Sequence, residues 1–263
     1  MQSQETSTAK DADRPLATVI LAAGQGTRMN SDLPKVAHLV ADRPMVEWVV
    51  DAARAVGSDL IVIVVGYGRE VVEKFFENDQ DDIRFALQAQ QLGTAHAVES
   101  ARAHLAEFRG DVLVLCGDGP LIRAATLAKI LNRHRTSGAA ATLATAVVDD
   151  PTGYGRVVRD RDGSFAAIVE HNNASPEQRG IREINPSYYC FESAALFDAL
   201  PRIDRNELSG EFYLTDVPAL LKQDGKRIEV IEAVPAEDVL SINTPEQLAE
   251  VDRILCARLE ACS

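Results

Sequence analysis

Residues 17–35, ATVILAAGQGTRMNSDLPK, constrain this chain more than any other stretch. The apolar run Val19, Ile20 and Leu21 has the character of a buried strand, and at Ala22, Ala23 and Gly24 it breaks into a loop. Gly24 and Gly26 let backbone N–H groups come close to a bulky ligand, and Arg28 and Lys35 bring two cations to the same loop. Such a loop can cradle a polyphosphate: amides meet the oxygens and the cations neutralise them. A bare Gly-x-Gly is more often a simple turn between strand and helix, but here Thr-Arg-Met and Leu-Pro-Lys follow it. No Gly-Lys-Ser/Thr closes the loop as in the ATP-binding P-loop, and Met29 stands where a dinucleotide fingerprint needs its third glycine.

Further along, helical spacing of Met45, Trp48, Val49 and Ala52 predicts a helix over 44–56 with Trp48 in the core, and Leu60–Val65 reads as a fully buried strand. A short helix is expected over 69–76, with Val72, Phe75 and Phe76 inward, then strands at Phe85–Leu87 and Val112–Cys116 and a helix near 121–135. Alternation of strand and helix argues for right-handed crossovers and a doubly wound, mostly parallel sheet. The β-rich stretch after Ala140, with a hairpin turned by Asp162 and Gly163, predicts a second, smaller lobe. Val217–Gln223 reads as a helix and Ile228–Ile231 as a strand; a further short strand should end at Ser241-Ile242-Asn243, with Thr244 capping a last helix from Pro245. Asp118, at the carboxyl end of a parallel strand, lies where open α/β sheets bind ligands, and its hard oxygens suit Mg²⁺. His96, His104 and His134 read as ordinary helix residues.

LAAGQGTRM (21–29) with SDLPK (31–35) resembles the signature of sugar-1-phosphate nucleotidyltransferases, in particular the uridylyltransferase (pyrophosphorylase) half of the bacterial bifunctional N-acetylglucosamine-1-phosphate enzymes. QAQQLGTAHA (88–97), GDGPL (117–121), DDPTGYGR (149–156), IVEH (168–171), EIN (183–185), GEFYLTD (210–216) and SIN (241–243) recur in that family's order. The resemblance covers nearly all of the chain from Leu16 onward. It implies a nucleotide-diphospho-sugar transferase fold: a Rossmann-like, doubly wound mixed sheet with a smaller β-rich sugar-binding lobe. It also implies Leu21, Ala22, Ala23, Gly24, Gly26, Gln88, Gly93 and Thr94 as nucleotide-binding residues, with Arg28 and Lys35 catalytic. By the same resemblance Gly155, Glu170, Asn185, Tyr213 and Thr215 face the sugar, and Asp118 and Asn243 hold Mg²⁺.

The implied reaction is Mg²⁺-dependent transfer of a uridylyl group from UTP to N-acetylglucosamine 1-phosphate, giving UDP-N-acetylglucosamine and pyrophosphate. Glucose 1-phosphate or glucosamine 1-phosphate as acceptor, and a sugar-nucleotide sensor without turnover, remain as alternatives. Four departures bear on them. Gln25 replaces a lysine of the relatives, Cys116 a tyrosine and Gly119 an apolar residue, and Pro186-Ser187 follow Asn185 in place of Thr-Gly. No hexapeptide repeats of a left-handed β-helix are present, so acetyl transfer is not expected.

A net charge of −13 over 263 residues argues against binding nucleic acid or an anionic membrane through the overall field, so a polyanionic substrate must meet local cations or a metal. Cys116, Cys190, Cys256 and Cys262 form no Cys-x-x-Cys pair and read as reduced thiols. Residues 1–15 lack an apolar signal core and are expected to be flexible, with the transferase domain over 16–263 and a cytoplasmic location.

Overall fold

The computed structural model describes residues 14–78 and 81–262. In chain order the strands are β1 (Leu16–Ala22), β2 (Leu39–Val40), β3 (Arg43–Pro44), β4 (Leu60–Val65), β5 (Ile83–Leu87), β6 (Asp111–Cys116), β7 (Ala141–Val147), β8 (Gly155–Arg159), β9 (Phe165–Val169), β10 (Glu183–Glu192) and β11 (Ile228–Glu232). The helices are α1 (Met45–Ala55), α2 (Arg69–Phe75), α3 (Thr94–Ser100), α4 (Ala124–Ser137), α5 (Pro176–Arg179), α6 (Ser193–Ala199), α7 (Val217–Gln223) and α8 (Pro245–Cys262).

The main sheet runs β11-β7-β10-β6-β1-β4-β5, parallel from β6 through β1 and β4 to β5, with β10 antiparallel to both its neighbours. Its central strands are apolar on both sides because both sides are covered. Val19, Val62 and Val114 pack with Val98 of α3, Leu196 of α6 and Leu221 of α7. Ile20, Ile63 and Leu115 pack with Val49 of α1, Val72 of α2 and Ile130 of α4. The fold is the expected doubly wound mixed sheet. Its smaller lobe is the β8–β9 hairpin, which joins the same sheet through β10 (Ile184 opposite Arg156, Asn185 opposite Gly155). Between Ile184 and Tyr188 the register of β10 against β7 shifts. Pro186 has no N–H to give the ladder, and Ser187 takes φ +66°.

A third cluster ties α8 (Val251, Leu255) to Met29, Val40, Met45 and Ile242, with Trp48 packed at its edge and donating from Nε1 to Val40 O at 2.9 Å. Thr244 caps α8 as expected, its Oγ1 accepting from Gln247 N at 3.3 Å. Among the described residues no strand ends at Ser241–Asn243. That segment instead lies along the end of β6, Ile242 N donating to Asp118 O at 3.3 Å. Residues 1–13 of the segment expected to be flexible lie outside the described residues. Its last two are anchored: Pro15 O accepts from Asp111 N at 2.9 Å, and Arg14 pairs with the Asp111 carboxylate at 3.1 Å.

Asp111 is fully buried and also receives Arg135 Nε at 2.7 Å, while His134, 1% exposed, places Nε2 3.6 Å from the same carboxylate and Nδ1 3.0 Å from Thr142 Oγ1. His134 is therefore a buried polar residue and not an ordinary helix position. Burial pulls its pKa down to about 4, Asp111 opposing and Arg14 and Arg135 reinforcing the shift. A histidine whose folded pKa is depressed contributes stability above its unfolded value and loses it as pH falls toward the folded one. Unfolding free energy should thus drop between about pH 6.5 and pH 4, by on the order of 3 kcal/mol from this residue. Urea midpoints across that range should fall less steeply for His134→Gln than for the parent, and equal slopes would remove the assignment.

Candidate active site

Loops leaving the carboxyl ends of β1, β4, β5 and β6 enclose two adjoining cavities, of about 700 Å³ and about 450 Å³, that share Arg28 and Asn243 in their walls. The larger is walled by the glycine loop, Lys35, Gly66, Tyr67 and Gln88. Gly26 adopts φ +72°, and a Cβ there would stand 2.8 Å from Lys35 Cβ, so the loop folds back on the lysine stem only because position 26 has no side chain. Gly24 has open space where a Cβ would be and leaves the backbone accessible from the cavity. Leu21, Ala22 and Ala23 lie beneath the loop without lining either cavity; Ala23 O accepts from Tyr67 N at 3.3 Å.

Gln88 is 4% exposed and lines the larger cavity. Its amide nitrogen donates to Gly93 O at 3.1 Å and to His96 Nδ1 at 3.0 Å, so both N–H groups are committed and Oε1 is the group left to accept. His96 thus orients Gln88. Its place one helical turn into α3 holds no signal of that by itself. Gly93 and Thr94 stand behind Gln88 and outside the cavity walls. At Gly93 (φ +107°) a Cβ would sit 2.5 Å from Phe212 O, and Thr94 Oγ1 accepts from Leu214 N at 2.9 Å. Both residues fasten the 210–216 segment. Gly93→Ala should undock it, lowering stability by about 2 kcal/mol or more, read as a fall in thermal midpoint; an unchanged midpoint would show that the segment yields.

At the junction Lys35 Nζ lies between Asp118 Oδ2, with which it forms an ion pair, and Asn243 Oδ1 at 2.8 Å, and Arg28 Nη2 reaches the same Asn243 oxygen at 2.8 Å. Asp118 is placed by the end of β6, and Asn243 by the cap of α8. Two hard oxygens from distant parts of the chain converge here on one cation. This pair suits Mg²⁺, which takes one or two protein oxygens and completes its shell with phosphate and water.

The smaller cavity is walled by Asp118, the 152–155 loop, Glu170, Asn185 and Pro186-Ser187. Burial pushes the Glu170 carboxyl above the usual range; the Thr215 hydroxyl, donating at 3.0 Å, works against that, and Asp216 and Glu211 add to it. Among the described residues Glu170 forms no ion pair, so its carboxylate is left free to accept further hydrogen bonds. Asn185 donates to Tyr189 Oη at 2.6 Å and accepts from Ser187 N at 3.2 Å, which holds its amide plane with one donor and one acceptor site to spare. Thr215 acts through Glu170, and Tyr213 lines neither cavity. Cys116 reaches the cavity wall with its thiol pKa pushed up to about 12, chiefly by burial, so it stays protonated and is no nucleophile.

Residues 18–213 match the model of the MobA-like NTP transferase domain. The chain belongs to that family. This transferase domain is 52% identical over 244 residues to the bifunctional protein GlmU of Pelotomaculum thermopropionicum, covering 93% of the chain and 53% of that protein. It is 47% identical over 241 residues to the bifunctional protein GlmU of Geobacillus thermodenitrificans, covering 92% and 52%. It spans about half the length of the curated relatives it matches. A UDP-glucose pyrophosphorylase solved with UDP-glucose superimposes with a TM-score of 0.75 at 16% identity, over 93% of this chain and 99% of that one, and shows the same fold. Among the described residues no helix is long and apolar enough to cross a membrane.

Proposed function

We propose that the protein transfers a uridylyl group from UTP to N-acetylglucosamine 1-phosphate and releases pyrophosphate. The observation that carries this reading is the convergence of Lys35, Arg28, Asp118 and Asn243 where the two cavities meet. The larger cavity takes the nucleotide. Gln88 Oε1 accepts from the N3–H of uracil, and the 24–28 backbone and Arg28 meet the phosphates. The smaller cavity takes the hexose, with Glu170 and Asn185 on its hydroxyls and acetamido group and Gly155 giving the ring a close approach.

A phosphate oxygen of the sugar 1-phosphate then attacks the α-phosphorus in line. As that bond forms, the bond from the α-phosphorus to the bridging oxygen breaks and pyrophosphate leaves with the electron pair. Lys35 and Arg28 neutralise the charge gathering on the phosphoryl oxygens, and positioning supplies the rest. Asp118 and Asn243 would hold Mg²⁺, which would supply positive charge against the phosphates. The free thiols of Cys116, Cys190 and Cys256 fit a reducing cytoplasm.

Pyrophosphate release from UTP, with N-acetylglucosamine, glucose and glucosamine 1-phosphates run in parallel, tests the reading. Turnover with the first alone is expected. Turnover only with another sugar would keep the chemistry and move the specificity to the wall altered by Pro186, Ser187 and Gly119; UTP binding without release would make the protein a sensor.

A further inference from the structure

Arg156 is 1% exposed, the largest side chain buried to that degree, and among the described residues no carboxylate lies within ion-pair distance of it. A buried guanidinium without a counter-charge is costly unless its donors are placed well. Nε is buried without a partner, but both Nη groups find acceptors behind the smaller cavity's wall. Nη1 donates to Tyr154 O, and Nη2 faces His171 Nδ1 at 3.3 Å and Arg179 O at 3.5 Å. His171 Nδ1 also accepts from Gly153 N at 3.2 Å. A backbone N–H can only donate, so Nδ1 carries no proton, the ring is neutral with its hydrogen on Nε2, and one lone pair is shared by Gly153 and Arg156.

Two wall segments meet in this knot. Gly153 to Gly155 form one edge of the cavity, and His171 directly follows Glu170, whose carboxylate forms another. We propose that Arg156 and His171 are positioning residues that clamp the 152–155 loop to the Glu170 segment and so set the sugar-binding wall. The proposal rests on the functional reading above for its substrate, but not for its geometry. The charged groups around the ring are Arg156 on β8, Arg179 on α5, Asp150 ahead of the loop, and Glu170 beside it.

The test uses the whole chain with UTP and sugar phosphate varied separately. His171→Leu, at a half-buried position, should raise the KM for sugar phosphate about tenfold and leave the KM for UTP within about twofold. His171→Asn keeps an acceptor near the Nδ1 position and should restore it. Arg156→Lys, which keeps the charge and loses the planar fork, should behave as His171→Leu does. Amide hydrogen exchange over 152–155 gives a readout that needs no turnover: faster in His171→Leu, restored in His171→Asn. If the parent turns over no sugar phosphate, the activity reading falls and exchange alone decides the clamp. Unchanged exchange in His171→Leu, or equal shifts in both KM values, would overturn it.

Discussion

Lys35→Ala should lower kcat by about 10²- to 10³-fold, the loss that follows removal of one preorganised charge from a transition state, with the thermal midpoint held within about 3 °C. The Lys35 side chain is only 15% exposed, yet it lines the larger cavity beside Arg28 and Asn243, which border both cavities, and does not sit in an apolar core. Asp118 beside it is 20% exposed, so water can take over part of the solvation that the lysine gave. Alanine keeps the Cβ on which the glycine loop packs at Gly26, so the cradle should survive the change. Lys35→Arg tests geometry separately from charge. A planar fork cannot replace a compact ammonium between two oxygens, and rescue should be poor. Near-normal turnover by Lys35→Ala would remove the residue from the mechanism, whereas a collapse of the midpoint would make it structural.

How much of this was legible beforehand depended on whether the relevant contact was local. β4 was read to the residue, because Leu60–Val65 is a continuous apolar run closed by Gly66, and α7 was read equally well. The cap at Thr244 was legible because a capping bond spans only a few residues. β10 was not. It runs for 10 residues through Pro186, and only the register shift explains how a strand tolerates it. The short strand expected before Asn243 failed because an apolar alternation marks which side chains go inward, not whether a neighbouring strand is there to pair with.

The site shows the same division. Thr94 lay in a motif, but its hydroxyl serves Leu214, 120 positions away, and no local pattern encodes that bond. His96 and His134 were passed over for a related reason. Helical spacing does not say which histidine turns toward a buried partner, and both partners, Gln88 and Asp111, are supplied by the sheet side of the fold. Arg156 was quoted within a motif and given no role, because its donors end on backbone carbonyls and an imidazole that only the folded loop brings together.

Asp118→Asn should reduce turnover by about 10³-fold or more, and direct metal binding separates the two ways in which it can do so. Asp118 touches Lys35 in the free protein, so loss of activity alone would be explained as well by a lysine left without its partner as by a metal left without its ligand. The two accounts diverge when Mn²⁺ binding is measured by its magnetic resonance signal without nucleotide. In the parent, Lys35 Nζ stands between the two oxygens proposed to hold a divalent cation, and a fixed positive charge there must oppose a second one. Binding should therefore be weak in the parent, at least about tenfold tighter in Lys35→Ala, and lost in Asp118→Asn, where the one formal negative charge of the pair is gone. Equal Mn²⁺ affinity in all three proteins would take Asp118 and Asn243 off the metal and leave them as holders of the lysine. The predicted order would instead mean that UTP has to draw the ammonium toward its phosphates before the metal can settle, so that nucleotide and metal enter together.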